Sequence, residues 1–175
     1  TPLRRGLEDV GQYYEDLDPN GWGSSPILPA SQGGECQQNF AVLMSDGFWN
    51  GGNPSVGDAD TDDDTAFDGG LYADNNATSN TLADVAMDFY ERDLSGLADN
   101  VRIIQGVDEN QQQHMVTYTV AFGVNGTLPA SPLPTEAGFA GWPTPAANAQ
   151  TTIDDMWHAA FNGRGQFLSA GDPQQ

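Results

Sequence analysis

The stretch Phe40-Ala41-Val42-Leu43-Met44-Ser45-Asp46-Gly47-Phe48-Trp49-Asn50-Gly51-Gly52 decides how this chain reads. With Asn39 before it, the apolar run to Met44 reads as a short strand. A uniformly apolar strand belongs in a parallel sheet covered on both faces. The run then ends on Ser45, Asp46 and Gly47. A carboxylate carried straight out of a core strand, ahead of a residue that bends freely, needs a chemical reason.

The flanking sequence supplies a fold for this strand. TPLRRGLEDVGQYYEDL, from Thr1, predicts a helix with Thr1 as cap, Pro2 at the first helical position and Leu3, Leu7, Val10 and Tyr14 on one face. Residues 18–35 are Gly-, Pro- and Ser-rich loop, after which Cys36 enters the strand. Residues 50–77 form a long Gly- and Asp-rich loop. SNTLADVAMDFYERDL predicts a second helix, with Thr81 and Asp84 as a capping pair and Leu82, Val85, Ala86 and Phe89 buried. His114–Val124, rich in Val, Thr, Tyr and Phe, is a strand. A Pro- and Gly-rich loop over 125–150 leads to a third helix, TTIDDMWHAAFNG, and a last strand, Gly165–Ala170. The order α–β–α–β–α–β predicts an α/β fold: an open, mostly parallel sheet with right-handed crossovers and helices on both faces. Three strands make a thin sheet, and the first helix starts at residue 1, so the domain reads as truncated at its N-terminus.

Composition narrows the function classes. The 175 residues carry 25 acidic side chains against 5 arginines, with no lysine, for a formal charge of −20. Nucleic acid and anionic membrane surfaces need basic side chains, so both are excluded as ordinary partners. No segment approaches the roughly 20 apolar residues of a membrane span. An acidic surface suits bound divalent ions or a saline medium. The single Cys36 is either a small buried residue or the partner of a cysteine outside this sequence.

In open parallel sheets, ligands bind beyond the carboxyl ends of the strands. Gly47 lets the backbone turn away there and leaves the Asp46 carboxylate in the crevice, a place that suits Mg²⁺ or Ca²⁺. An Asp after a strand also serves as a turn former or helix cap. A second candidate is VGDADTDDDTAFDGG, where Asp58, Asp60, Asp62, Asp63, Asp64 and Asp68 share one loop. Alternation over Asp58, Asp60, Asp62 and Asp64, with Asp68 nearby, suggests Ca²⁺ ligands, but the Gly and Glu of an EF-hand loop are missing. A solvated acidic loop is the plainer alternative. His114, His158 and Cys36 lack the further ligands of a zinc site or the oriented partner of a nucleophile. Trp22, Trp49 and Trp142 lie in Gly/Pro loops, where they either anchor a partner or pin the loops.

TPL at the head of a helix, followed by an apolar strand ending in SDG, resembles the von Willebrand factor A fold. That resemblance implies a metal-ion-dependent adhesion site of three elements: Asp-x-Ser-x-Ser, a Thr before a helix, and an Asp after a later strand. Thr1 matches the second and Asp46 the third. The first does not occur here. A narrower resemblance covers most of the chain. CQQNFAVLMSDGFWNG, SNTLADVAMDFYERDL, QHMVTYTVAFGVNGTL and IDDMWHAAFNGRGQFLSAGDP together resemble the N-terminal region of the PilY family, large type IV pilus assembly proteins and tip adhesins of Gram-negative bacteria.

The resemblance implies that residues 1–175 are one partial von Willebrand A-like domain, without the family's C-terminal propeller. It implies a non-enzymatic adhesion or assembly module at the cell surface, passing the periplasm or outer membrane in transit. Pilus subunits such as minor pilins, or a host or surface ligand, would be its partners. Mg²⁺ or Ca²⁺ is the implied cofactor, with no organic one. Two rivals come from other classes: a metal-dependent hydrolase using Asp46 and the Asp-rich loop, and a structural extracellular domain adapted to salt. The hydrolase lacks an evident general base.

Overall fold

The computed structural model describes residues 1–170. The expected order appears: α1 (Leu3–Tyr14), β1 (Asn39–Ser45), α2 (Leu82–Glu91), β2 (Met115–Phe122), α3 (Thr151–Asn162) and β3 (Arg164–Ala170). The strands form one sheet in the order β1-β2-β3, parallel throughout, with Ala41 opposite Thr117 and Val120 opposite Leu168. Two short 3-10 turns, Ala30–Gln32 and Gly34–Cys36, interrupt the first loop.

The helices do not cover both faces of the sheet. Leu3 and Leu7 of α1, Leu82, Val85, Ala86 and Phe89 of α2, and Ile153, Met156 and Ala159 of α3 share one core with Ala41, Met115 and Ala121 of the strands. The opposite face exposes Phe40, Val42 and Met44 of β1, Phe122 of β2 and Leu168 of β3. Topology explains the correction. Successive strands step across the sheet in one direction, and right-handed crossovers taken in one direction place each connecting helix on the same face. The strand Asn39–Ser45 is therefore alternately buried and exposed rather than uniformly buried.

Local chemistry fixes some of the helix ends; a side chain caps the start of α2 but not of α1 or α3. Thr81 caps α2 in a full capping box: its hydroxyl accepts from the Asp84 amide at 3.0 Å, and the Asp84 carboxylate accepts from the Thr81 amide at 2.7 Å. At α1 the cap residue is Pro2 rather than Thr1, and no side chain caps the helix. After α3, Gly163 stops the helix with a negative φ, and Arg164 takes the left-handed turn at φ 57°. A Cβ on Gly163 or Gly165 would lie 2.9 Å or less from the Thr117 backbone, so both positions let β3 start hard against β2.

Candidate functional site

The carboxyl end of β1 is a turn built from its own side chain. The Ser45 hydroxyl accepts from the Gly47 amide at 3.3 Å and donates to the Gly47 carbonyl at 2.8 Å. That turn leaves Asp46 exposed beyond the strand end. Trp49 then dives into the core and donates to Asp155 of α3 at 2.8 Å. The next residue, Asn50, pairs with Thr1 through its backbone amide at 2.9 Å and its side-chain oxygen at 2.8 Å. Arg4 ties the same corner together, stacking 4.0 Å over the Trp49 ring and donating to the carbonyls of Asn80 and Gly51. The head of α1 and the turn after β1 thus share one end of the sheet, with Thr1 held by the fourth residue after Asp46.

The acidic loop lies elsewhere, packed along α2. Asp60 is only 1 % exposed, as is Asp84 of α2, and the Asp60 amide donates to the Asp84 carboxylate at 3.4 Å. One carboxylate oxygen from each of Asp58, Asp60 and Asp84 lies within 4.8 Å of the other two. Asp62 and Asp64, both exposed, form a second group with the buried Glu91. Asp68 contributes to neither group. Asp84, Asp88 and Glu91 recur at helical spacing, so α2 turns an acidic stripe toward the loop. Burial pushes Asp60 and Glu91 up to about 8, Asp84 to about 7 and Asp88 to about 6. Asp84 stands out in sequence only as a capping residue, because its role toward Asp60 depends on a contact across 24 residues of chain. The i, i+4, i+7 spacing of Asp84, Asp88 and Glu91 was the available signal.

The remaining candidates serve the architecture. His114 is buried between the Gln112 carbonyl at 2.8 Å and Asp108 at 3.2 Å. His158 stacks on Trp142 with ring centroids 4.3 Å apart and bonds the Tyr72 carbonyl. Trp142 donates to the Leu71 carbonyl, so Trp49 and Trp142 pin loops, whereas Trp22 stays half exposed against the edge of Tyr13. Cys36 does not enter the strand; it ends a 3-10 turn and is exposed and free, which removes the buried-residue reading. An apolar cleft of about 730 Å³, lined in part by Val120, Leu128, Trp157 and Phe167, opens at the carboxyl ends of β2 and β3. No helix among the described residues is long and apolar enough to cross a membrane.

Comparison with known proteins now bears on this geometry. The chain is 32 % identical over its full length to the type IV pilus biogenesis factor PilY1 of Pseudomonas aeruginosa strain PAK. It is 30 % and 31 % identical to the proteins of that name in strains PAO1 and UCBPP-PA14. The chain belongs to the PilY family. It spans 18 % of the length of the PAK and PAO1 relatives and 17 % of the third. No family model matches the chain, and no solved structure matches it. Among the described residues, the groups of three acidic side chains close enough to share a cation lie beside α2, and Asp46 belongs to neither.

Proposed function

We propose that this PilY-family chain is a non-enzymatic module of a type IV pilus-associated surface protein, acting in assembly and attachment. Its ligand edge is the carboxyl end of the sheet, and the domain is of the von Willebrand A type. The observation that carries this reading is the match along the whole chain to type IV pilus biogenesis factors. Asp46, exposed beyond β1, holds a divalent cation there, with the Thr1 hydroxyl as a second ligand from the adjoining corner. Carboxylate, hydroxyl and water are the ligand set a hard cation such as Mg²⁺ takes, and an acidic group on the partner completes it. Minor pilins or a surface ligand are the partners, and the site of action is the outside of the cell.

The test is binding of immobilised chain to purified minor pilins, read by biolayer interferometry in 1 mM Mg²⁺ and in EDTA. Binding is expected in Mg²⁺, to fall at least about tenfold in EDTA, and to fall equally in Asp46→Ala. An Asp46→Ala variant that binds as tightly as the parent, with the same metal response, rules out the sheet-edge site.

A further inference from the structure

The buried acidic group beside α2 is a different place from the sheet edge, and its electrostatics are unfinished. Asp60 and Asp84 are each 1 % exposed, and Asp58 is half-buried beside them. Among the described residues, no arginine pairs with any of the three, and the one ion-pair contact of Asp60 is His158 at 3.4 Å. The His158 Nε2–H is already committed to the Tyr72 carbonyl. The charged neighbours that act on Asp60 are themselves carboxylates: Asp84, Asp74 and Asp58. Three carboxylates packed this closely in a dry site repel one another unless a proton or a cation joins them.

A second observation points to the cation. The Asp60 Oδ1 atom is buried and has no hydrogen-bond partner, and neither has the buried Oδ1 of Asp58. Buried polar atoms are almost always bonded, so two orphaned carboxylate oxygens in one cluster are available to a cation. The surroundings are built rather than loose. The Asp60 Oδ2 atom accepts from Asn162 of α3 at 3.1 Å, and Asp84 is fixed by the Thr81 capping box. The two segments are zipped together where the Asn80 amide donates to the Gly57 carbonyl at 2.6 Å and the Gly57 amide donates to the Asn80 side chain at 3.1 Å.

We propose that Asp58, Asp60 and Asp84 form a structural Ca²⁺ site that clamps the acidic loop to the start of α2. The chemistry selects the ion. Oxygen atoms within 4.8 Å of one another need move inward by only a few tenths of an ångström to share one Ca²⁺ at about 2.3–2.6 Å. Mg²⁺ sheds water reluctantly and prefers to keep several waters, which a site this buried does not admit. The half-buried Asp58 is the side by which the ion enters.

The experiment is a Ca²⁺ titration of the chain by calorimetry, paired with thermal melts in EDTA, 1 mM Ca²⁺ and 1 mM Mg²⁺. One Ca²⁺ is expected at this site, raising the melting temperature by roughly 5–10 °C at a hundredfold excess over Kd, with a smaller rise in Mg²⁺. Asp60→Asn keeps an oxygen for Asn162 and removes one charge, so it should melt higher than the parent in EDTA and lose the Ca²⁺ response. Asp58→Asn, at a half-buried position, should lose the response as well and keeps the test readable should Asp60→Asn fail to fold. Asp64→Asn, in the exposed part of the loop, should respond like the parent. The proposal is overturned if the parent binds no Ca²⁺. It is also overturned if Asp60→Asn and Asp58→Asn keep the response, or if Asp64→Asn abolishes it, since the ion then sits in the exposed loop.

Discussion

Asp155 shows how much one buried side chain can hold. From α3 it accepts hydrogen bonds from the first two amides of α2, Leu82 at 3.0 Å and Ala83 at 3.2 Å, and from the Trp49 indole at 2.8 Å. A carboxylate at a helix N-terminus meets both the free amides and the positive end of the helix dipole. With Thr81 serving the third amide, the start of α2 is fully bonded although it is buried. Asp155→Ala leaves three buried donors without acceptors, and each unsatisfied donor costs about 1–3 kcal/mol. The expected loss is about 3–5 kcal/mol in urea denaturation, with Asp155→Asn losing less because one oxygen remains. Equal stability of Asp155→Ala and the parent would contradict this network. Of the residues at this corner, the exposed place of Asp46 at the strand end was legible from local motifs, whereas the cap expected at Thr1 falls on Pro2. Asp155 was not legible, because its partners lie 72 or more residues away in sequence.

Helix packing supplies the next level. α1 approaches α2 through Gly11, where an added Cβ would stand 2.3–2.4 Å from the Phe89 ring carbons. Phe89 is 1 % exposed and belongs to the core, so the ring has no free direction in which to yield. Two effects oppose each other in Gly11→Ala. Replacing a mid-helix Gly with Ala gains about 1 kcal/mol of helix propensity, whereas overpacking a filled core costs about 1–3 kcal/mol. A clash this close puts the cost at the upper end, and a net destabilisation of about 1–2 kcal/mol is expected in denaturant titration. A stabilised Gly11→Ala would mean that α1 lies farther from α2 than this. The helices themselves were readable from apolar periodicity and, for α2, from the Thr81–Asp84 spacing. Their shared face was not, because periodicity reports which side of a helix is buried but not which side of the sheet receives it.

At the scale of the molecule, acidity sets the pH response. Burial holds Asp60 and Glu91 at about 8, Asp84 at about 7, and Asp88 and Asp155 at about 6, against roughly 4 in an unfolded chain. An acid raised by folding binds its proton more tightly in the folded state. Its contribution is complete below about pH 4 and is lost as pH rises through its folded value. His158 runs the other way: with its folded value near 4, its contribution is complete above about 6.5 and is lost as pH falls toward 4. The carboxylates outnumber the histidine. In EDTA the melting temperature should therefore be highest near about pH 4 and fall toward about pH 8, as calorimetry at fixed ionic strength would show. A melting temperature that climbs across that range would contradict the buried carboxylates. A surface bearing −20 charges adds self-repulsion that salt screens, so added NaCl should raise the melting temperature at about pH 8.

What the sequence determined by itself was local: the alternation of helices and strands, the cap of α2, and the placing of Asp46 at a strand end. Each follows from residues within a few positions of one another, where backbone geometry and side-chain reach leave little choice. Tertiary structure decided the rest. It put the helices on one face of the sheet, because strand order fixes the side on which a right-handed crossover lands. It brought Asp84 to Asp58 and Asp60, and Asp155 to the head of α2, because carboxylates far apart in the chain meet only once the packed core has set where each helix lies.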